Sequence, residues 1–569
     1  MKPHYGLHIR RAAYLSALVL ILCAVARAEP DAPPPLAAIN YRLSMPRPAS
    51  HLFEVQIEAL MDKNDSTDHL DFQMPRWSPG RYAVFDFAKN VQEVRAQVAC
   101  PDNTDCAGGP MNVSRLDDQT WRVQTSDSKR LRVTYKVFGD NLSGTFSQLN
   151  ERHANLNGGS VFMYVVGHKQ EPVSLRIDAP VGWRIVNGRM ESMEQREWRF
   201  ANYDILIDTP TEIAPDWTLD QFSVDGKTYR VVVHSLGAEG GKRGALVRSI
   251  ERIVRAEAAM WGAPDFDSYT FLIHFADDSH SSDGMEHLTS TQLVEPGALA
   301  SPGTLEDTLD GAAHEFFHVW NVKRLRPVAL GPWDFTRPLN TRSLWIAEGI
   351  TNYYGHLMQR RAGIWTDEQL LDMLSAQISA VESAPGSRLI SAEESSLIAP
   401  FLDGGTHTQR TNLANTSISY YTKGEILGLV LDLLIRRETG GRASLDDVMR
   451  RMYRKFYLES PNDTYYLRGR GYTDEEFESV ASEVSGADLK EFFRRYVRGV
   501  ETPPYDEALA AVGLRLVREQ ARTTPGAAAG ATLDAKASHD TPERYDYRIE
   551  ERSDAPPQAR NLRAAWMRG

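Results

Sequence analysis

"GAAHEFFHVWN", residues 311–321, contains two histidines four positions apart and a glutamate directly after the first. Positions four apart lie on one face of a helix, so His314 and His318 can bind a single metal ion. Glu315 would then stand close enough to accept a proton from a water on that ion without binding the ion itself. A buried helix with two hydrogen-bonded histidines has the same pattern, and this stretch alone leaves both interpretations open.

A candidate third ligand lies in the next segment of helical period. Residues 343–361, SLWIAEGITNYYGHLMQRR, place Glu348 among apolar side chains, where an unpaired carboxylate would be costly. Two histidines and one glutamate with a fourth position left open form a catalytic zinc site. An ion pair between Glu348 and an arginine such as Arg342 is the alternative. Together, His314, His318 and Glu348 favour a centre that binds one Zn²⁺ per chain.

The overall composition limits the partners of the protein. The chain has 569 residues, more than one hydrophobic core supports, and its formal net charge is −12. An acidic chain is a poor ligand for nucleic acid or for an anionic membrane surface. We therefore expect neither as a partner.

The first 28 residues have the pattern of a secretory signal peptide. Three basic residues precede the apolar run 12–25, and small residues lead to a cleavage site after Ala28. Because this run is short for a membrane span, we expect a secreted, periplasmic protein with no stable span after cleavage. An uncleaved anchor is the alternative. In an oxidising compartment Cys100 and Cys106, which flank a turn-like segment, are expected to pair.

The pattern of apolar residues divides the rest of the chain. Between residues 41 and 233, short alternating runs separated by Gly, Pro, Asn and Asp predict an antiparallel β-sandwich-like domain. A helix whose apolar face is interrupted only by Glu257 is predicted at 244–262, and nearly every segment from 304–324 onward has helical period. Residues after 522 have little to bury. The predicted fold is therefore α+β and multidomain: a β domain (29–215), a mainly helical domain (216–512) and a flexible tail (513–569).

Four ordered motifs resemble those of one peptidase family. They are DGMEHLTSTQL (283–293), HEFFHVWNVKRLRP (314–327), LWIAEGITNYY (344–354) and YYTKGEILGLVLDLLIR (420–436). Each is similar to a motif of the glycyl aminopeptidase family, gluzincin metallopeptidases distantly related to the aminopeptidase N and leukotriene A4 hydrolase group. YDILIDTPTEI (203–213) is similar to that family's approach to its catalytic domain. The resemblance extends over residues 40–512 and implies a thermolysin-like zinc metallopeptidase domain.

The resemblance implies a role for each motif. The metal ligands and the general base are those that the spacing already indicates. Tyr421 would donate to the oxyanion, with the adjacent Tyr420 as the alternative. Glu286 would hold the free amine of the substrate, and Gly284 and Met285 of the same motif would also contact the substrate.

Several residues near these motifs have more than one interpretation. Glu286 and His287 are alternatively a solvated strand end. Asp283 stands where the resemblance predicts glycine, which leaves the shape of this loop open. Lys323 and Arg324 either bind a substrate carboxylate or, as we favour, cap the C-terminus of the metal-binding helix.

The combined prediction is a secreted zinc aminopeptidase that releases small N-terminal residues, glycine or alanine by resemblance, from peptides with a free amino terminus. A water on the zinc would attack the peptide carbonyl, with a glutamate as general base. An endopeptidase or a non-peptide zinc hydrolase on the same scaffold is an alternative, as is a catalytically inactive peptide-binding protein of the cell envelope. Many relatives end in a PDZ domain, which we expect to be missing because only 52 residues follow Val517 and they are poor in apolar residues.

Overall fold

The computed structural model of the protein describes residues 34–64, 67–100, 108–125, 128–276, 282–405, 415–461, 468–520 and 545–569. The predicted signal peptide and Cys106 lie outside these ranges. Cys100 is disulfide-bonded. Among the helices of the described ranges, none combines the length and the apolar character that a membrane crossing requires.

The N-terminal domain is built mainly of strands. They are β1 (Ala38–Ser44), β2 (Leu52–Leu60), β3 (His69–Gln73), β4 (Val91–Val98), β5 (Pro110–Met111), β6 (Val113–Arg115), β7 (Thr120–Gln124), β8 (Arg130–Phe138), β9 (Gln148–Leu149), β10 (Ala154–Leu156), β11 (Tyr164–Val165), β12 (Val173–Asp178), β13 (Arg184–Asn187), β14 (Glu197–Phe200) and β15 (Thr211–Ala214). A short helix, α1 (Tyr203–Ile207), precedes β15, and 3-10 turns lie at Pro48–Ser50, Phe87–Asn90 and Gly158–Ser160.

Over the described residues these strands form one sheet of seven and two sheets of four. The orders are β14-β12-β1-β2-β8-β4-β5, β13-β15-β10-β9 and β11-β3-β7-β6. Alternation explains how the large sheet packs: in β2, Phe53, Val55 and Ile57 are at most 2% exposed, while the residues between them are partly exposed. Alternate side chains of a strand point to opposite faces, so one face of the sheet supplies the core.

Among the described strands of this domain, the pairing is antiparallel with one exception. Strand β1 pairs with β12 in parallel, with Ile39 opposite Val173 and Leu43 opposite Ile177. The prediction of an antiparallel domain is therefore wrong at this pair. A parallel pair needs a long connection between its strands, and strands β2 to β11 supply it here.

The second domain begins with a mixed sheet and continues as helices. Its strands are β16 (Thr218–Val224), β17 (Lys227–Ser235), β18 (Ser268–Ala276), β19 (Asp283–Glu286) and β20 (Ser290–Pro296), in the order β16-β17-β18-β20-β19. Its helices are α2 (Arg243–Trp261), α3 (Thr304–Phe317), α4 (Thr351–Arg361), α5 (Asp367–Ser383), α6 (Ala392–Leu397), α7 (Ala399–Gly405), α8 (Tyr420–Thr439), α9 (Leu445–Tyr453), α10 (Asp474–Ser485), α11 (Lys490–Phe492) and α12 (Tyr505–Ala511). The predicted order of a β domain followed by a mainly helical domain is confirmed.

Several helices are shorter or less regular than their period predicts. Helix α3 ends at Phe317, whereas the pattern predicted a helix to residue 324. Turns of π-helix occupy Trp345–Ile350, Arg454–Leu458 and Phe493–Val497, and 3-10 turns occupy Val328–Leu330 and Pro385–Arg388. The first π turn leads directly into α4, so the predicted helix at 343–362 exists but changes its winding at its start.

The two domains exchange side chains across their boundary. Tyr82 of the N-terminal domain is 4% exposed and belongs to the core of the second domain. Trp333 and Phe335 of the second domain belong to the core of the first. In addition, the Trp77 indole donates hydrogen bonds to the carbonyls of Asp334 and Arg337 at 3.0 and 2.9 Å. This exchange brings residues of the N-terminal domain to the site described below.

The C-terminal segment is ordered where the structure describes it. Strand β21 (Leu514–Gln520) pairs antiparallel with β22 (Tyr545–Glu551), and helix α13 (Pro557–Arg568) follows. The Trp566 side chain is fully buried and donates to the Tyr353 hydroxyl at 2.7 Å. The predicted flexible tail over 513–569 is therefore wrong for 514–520 and 545–569, because the few apolar residues of these segments pack onto the helical domain.

Candidate metal centre

His314 and His318 lie at the C-terminal end of α3. His314 is in the last turn, and His318 directly follows the final residue of the helix. Their Nε2 atoms are 3.0 Å apart. The Nδ1 atom of His318 lies 2.6 Å from the carbonyl oxygen of Asn321. A carbonyl only accepts, so this Nδ1 carries a proton and, in the neutral ring, the Nε2 atom keeps a free lone pair.

Glu348 lies on the π turn that precedes α4 and is 2% exposed. Its Oε2 atom is 3.4 Å from Nε2 of His314 and 3.3 Å from Nε2 of His318. Its Oε1 atom accepts a hydrogen bond from the Tyr82 hydroxyl. Arg342, the alternative partner considered for Glu348, instead faces Glu393 at 3.9 Å.

The three atoms that face one another fit a bound metal ion. Ligands on a tetrahedral zinc at 2.0–2.1 Å lie about 3.3 Å from one another. The three observed separations between Nε2 of His314, Nε2 of His318 and Oε2 of Glu348 are 3.0, 3.3 and 3.4 Å. Burial lowers the pKa of His318, but the carboxylates of Glu348, Glu286 and Glu315 together raise it to about 10. The negative charge around this ring therefore stabilises a cation there, and a site for a divalent ion needs such negative charge.

A close contact between two glycines positions the π turn. A Cβ at Gly349 would lie 2.4 Å from Cα of Gly424, and a Cβ at Gly424 would lie 2.4 Å from the carbonyl oxygen of Trp345. Only glycine allows the backbones of the π turn and α8 to approach this closely. The contact places Glu348, which precedes Gly349, beside the first turn of α8, where Tyr421 lies.

Tyr420 and Tyr421 face different neighbours. The Tyr421 ring is half-buried, and its centroid lies 6.1 Å from that of His314. The Tyr420 ring is 2% exposed and packs edge-on against Tyr82 at 6.2 Å. Of the two tyrosines, Tyr421 is therefore the one whose ring the structure places against the histidine pair.

Glu315 lies on the same helix as His314 and is 7% exposed. Burial raises the pKa of its carboxyl, His318 lowers it, and Glu286 and Glu348 raise it further, to about 8. A Cβ at Gly284 would lie 2.3 Å from Oε1 of Glu315. Glycine at position 284 is therefore needed to let β19 lie against this carboxylate.

The residues predicted to contact substrate lie on β19, the end strand of its sheet. Glu286 is 5% exposed, and one of its carboxylate oxygens belongs to a cluster with ligand atoms of Glu315 and His318 that all lie within 4.8 Å of one another. Met285 is 1% exposed and lies under Gly80, whose φ is +87°. The alternative of a solvated strand end is wrong, because this part of the strand is buried.

Asp283 differs from the expected glycine because it binds the N-terminal domain. Its Oδ1 accepts from the Arg81 guanidinium, and its Oδ2 accepts from the backbone N–H of Gly144 at 2.7 Å. Arg81 also donates to the carbonyl of Gly284 at 3.3 Å. These contacts fix β19 from the side of the N-terminal domain.

A buried network around Asp208 accounts for His287 and Lys323. Oδ1 of Asp208 lies 3.1 Å from Nδ1 of His287 and 3.0 Å from Nζ of Lys323. Lys323 therefore pairs with Asp208 and does not cap the helix, so the favoured interpretation is wrong for this residue. Lys323 also lines the cavity beside Glu286, and its contact with a substrate carboxylate stays a prediction. Arg324 bonds Asp265 at 2.7 Å and the carbonyl of Val319 at 2.7 Å. The cap expected of Arg324 is thus partly present, just beyond the end of α3.

Sequence reasoning missed the residues that hold the ligands in place. Tyr82 binds Glu348, and Asn321 binds His318 through its carbonyl while its amide donates to the carbonyl of Ile346 at 2.9 Å. Asn321 lies within the motif HEFFHVWNVKRLRP (314–327), only three residues after His318, so the sequence could have indicated this contact. Tyr82 follows an ordinary Pro-Gly turn, and no local pattern connects it with a carboxylate 266 positions away.

Comparison with protein-family models identifies both domains. The model of the Peptidase M61 N-terminal domain matches residues 40–215, and that of the M61 glycyl aminopeptidase matches residues 307–427, together more than half of the chain. The chain belongs to the M61 glycyl aminopeptidase family. The predicted family and the predicted class of enzyme, a metallopeptidase, are confirmed.

The chain is also similar in shape to solved structures of other proteins. An aminopeptidase N family protein from Idiomarina loihiensis has a TM-score of 0.75 and 25% identity, and the match covers 85% of this M61 chain and 79% of that one. An M1 zinc metallopeptidase from Deinococcus radiodurans is more remote, with a TM-score of 0.49, 13% identity, and 83% and 95% coverage. No curated protein sequence matches the chain.

Proposed function

We propose that this M61 protein is a zinc aminopeptidase that releases glycine or alanine from the amino terminus of peptides. The position of Glu286 is the observation that supports this proposal. Its buried carboxylate lies within 4.8 Å of the facing atoms of Glu315 and His318. The α-ammonium group of a substrate would balance the two neighbouring carboxylates and would hold the first peptide bond beside the base.

The residues of the site then have distinct roles. His314, His318 and Glu348 would hold Zn²⁺, which when bound supplies a Lewis acid that acidifies water and polarises a carbonyl. Glu315 accepts the proton of the attacking water and passes it to the nitrogen of the leaving amine. The Tyr421 hydroxyl donates to the carbonyl oxygen as negative charge develops there. No covalent intermediate between protein and substrate is involved.

The surroundings of Glu286 favour a small first residue. The cavity next to this carboxylate is lined by Trp77, Tyr82, Leu288 and Trp333, which are large side chains. Trp77 and Tyr82 are at most 4% exposed and are held by contacts across the domain boundary. They leave little room for a branched or aromatic substrate side chain, so glycine and alanine fit best.

The test is release of the first residue from Gly-, Ala- and Leu-headed peptides and from their N-acetylated forms, measured together with bound zinc. We expect turnover of the first two peptides, slow turnover of the third and none of the acetylated forms. Glu315→Gln should reduce kcat by about 10²- to 10⁴-fold while zinc content stays unchanged, because only the base is lost. Glu286→Gln should raise KM for free-amine peptides.

Each alternative gives a different result in this assay. An endopeptidase would cut acetylated peptides, and Glu286→Gln would then have little effect. Stoichiometric zinc without hydrolysis of any peptide would indicate an inactive peptide-binding protein of the envelope, or a hydrolase of another substrate class. Any of these results would contradict the proposed aminopeptidase.

We also propose that the protein is secreted to the periplasm after cleavage behind Ala28. The disulfide at Cys100 supports this location, because disulfides persist in oxidising compartments. N-terminal sequencing of the protein isolated from cell fractions is the measurement. A mature chain that begins at Glu29 in the periplasmic fraction is expected, and a full-length cytoplasmic chain would contradict the proposal.

A further inference from the structure

A second group of metal-binding side chains lies where the two domains meet. It consists of His153, Glu212, His234 and His274, and each is at most 2% exposed. None of the four belongs to the proposed catalytic centre. We call this group the interdomain cluster.

Four backbone segments bring the interdomain cluster together. His153 directly precedes β10, and Glu212 lies on β15, which pairs with β10. His234 on β17 and His274 on β18 are direct partners in the parallel register of those strands. The first two residues belong to a sheet of the N-terminal domain and the other two to the sheet of the second domain. The cluster therefore spans the boundary between the domains.

Three imidazoles surround one carboxylate. Oε1 of Glu212 lies 3.0 Å from Nδ1 of His153 and 3.1 Å from Nδ1 of His234, and Oε2 lies 3.8 Å from Nδ1 of His274. One ligand atom from each residue lies within 4.8 Å of all the others. Ligands on a tetrahedral zinc are about 3.3 Å apart, so the four side chains would move closer together around a bound ion.

The hydrogen bond between His153 and Gln148 indicates the protonation state of the His153 nitrogen that faces Glu212. Its Nε2 lies 2.9 Å from Oε1 of Gln148, whose amide nitrogen donates to Asp140 at 3.4 Å. The amide oxygen of Gln148 accepts, so Nε2 of His153 carries a proton. In a neutral ring Nδ1 then points a lone pair at a carboxylate oxygen 3.0 Å away, which is repulsive unless a cation lies between them.

One added proton would not satisfy the cluster. It can bridge Glu212 to a single imidazole, while Nδ1 of His274 is buried without a hydrogen-bond partner among the described residues. Nε2 of His234 lies 3.3 Å from Oδ1 of Asp216, which adds a further negative charge at the rim. A divalent ion can bind all three rings and the carboxylate at once.

We propose that His153, Glu212, His234 and His274 bind a second divalent transition-metal ion, of which Zn²⁺ is the representative, and that this ion links the two domains. Imidazole and carboxylate donors suit this class of ion. Four protein ligands complete a tetrahedral shell and leave no position for substrate, so the site is structural. The chain then binds two ions, in place of the single one predicted from the sequence.

The test is the zinc content of the full-length chain after chelator treatment, incubation with Zn²⁺ and removal of loosely held metal. Wild-type protein is expected to retain two ions per chain. Glu348→Ala, which removes a catalytic ligand and leaves the interdomain cluster intact, is expected to retain one. Glu348→Ala combined with His234→Gln is expected to retain none. The ion that remains in Glu348→Ala should raise the Tm of that variant, because the ion binds the folded chain and not the unfolded one.

A protonated histidine–carboxylate network without metal is the outcome that overturns the proposal. Wild type would then retain one ion, Glu348→Ala none, and added Zn²⁺ would leave the Tm of Glu348→Ala unchanged. If the double variant fails to fold, Glu348→Ala alone decides, because its cluster is unaltered. Co²⁺ in place of Zn²⁺ gives a second readout, since the visible absorption of four-coordinate Co²⁺ in Glu348→Ala is expected only if the cluster binds metal. One ion in both wild type and Glu348→Ala would support the interdomain site and contradict the catalytic one.

Discussion

At the scale of single residues, the hydroxyl of Tyr82 makes a contact with the metal centre that no sequence pattern predicts. It donates to Oε1 of Glu348 and leaves Oε2 of the same carboxylate toward the two histidines. Partners of this kind orient a ligand and increase its affinity for the metal. Tyr82 is therefore a positioning residue supplied by the N-terminal domain.

Tyr82→Phe should weaken zinc binding by about 10- to 100-fold, because one buried oxygen of Glu348 loses its donor and the ligand loses its fixed orientation. Competition with a chelator of known affinity measures this change. Tyr203→Phe is the matched control, since it removes a buried hydroxyl that bonds the carbonyl of Phe162 at 2.6 Å within the N-terminal domain. Equal zinc affinity in Tyr82→Phe and wild type would show that the contact does not position Glu348.

The sequence predicts local geometry at this scale well. The four-residue spacing brings His314 and His318 together whether or not the helix continues, and a carboxylate in an apolar segment such as that of Glu348 needs a partner. The contacts of Tyr82 and of the interdomain cluster depend on residues far apart in the chain. No spacing rule relates those residues, so their contacts are visible only in the folded structure.

At the scale of elements, Glu257 on α2 is an exception to the apolar face of its helix. The residue is fully buried, and both carboxylate oxygens are without a hydrogen-bond partner among the described residues. Burial raises the pKa of this carboxyl well above its ordinary value. The folded chain therefore holds a proton here that the unfolded chain releases at lower pH.

Glu257→Met should stabilise the protein, by about 1–3 kcal/mol at pH 8, because an unpaired polar group leaves the core. For a carboxyl whose folded pKa is raised, the stability contributed by the bound proton is present below the ordinary pKa and is lost as pH rises through the folded one. The gain in Tm over wild type should thus grow from pH 5 to pH 8. Thermal unfolding at both pH values measures it.

Glu251→Gln is the control for that comparison. Glu251 lies on the same helix but is partly exposed and pairs with Arg255 at 2.6 Å. Its substitution should change stability by less than about 0.5 kcal/mol, with little dependence on pH. A Glu257→Met variant with lower Tm than wild type at pH 8 would show that the buried carboxyl has a stabilising partner.

Periodicity located most elements and misjudged some ends and pairings. Helix α3 ends at Phe317, where the chain turns. The turn brings the carbonyl of Asn321 into contact with Nδ1 of His318. The π turn before α4 accommodates the close contact between Gly349 and Gly424. The parallel pairing of β1 with β12 likewise depends on contacts distant in the chain, which the hydrophobic pattern of one segment does not contain.

At the scale of the whole molecule, the C-terminal helix α13 is part of the helical domain. The indole of Trp566 is fully buried, and the Tyr353 hydroxyl that accepts its hydrogen bond donates in turn to Asp432 at 2.6 Å. Composition suggested a flexible tail because the sequence from Arg522 onward is rich in Ala, Gly, Thr and Pro and has little to bury. A small number of apolar contacts nonetheless fixes its position.

Trp566→Ala should destabilise the protein by about 3–5 kcal/mol, since it leaves a large cavity and removes the donor to Tyr353. Denaturant unfolding at constant zinc concentration measures the change. Leu389→Ala is the control, because Leu389 is 63% exposed and its loss should cost less than about 0.5 kcal/mol. Unchanged stability of Trp566→Ala would mean that α13 does not dock on the domain in solution.

The exchange of side chains across the domain boundary bears on how the family can be dissected or recombined. A recombinant fragment starting at residue 216 would possess every ligand of the proposed catalytic zinc and the base, yet would lack Tyr82 behind Glu348 and Arg81 beside Asp283. Such a fragment is expected to bind zinc weakly and to have little catalytic activity. Chimaeras assembled from two relatives would need the loop around residue 81 and the catalytic half to come from the same parent.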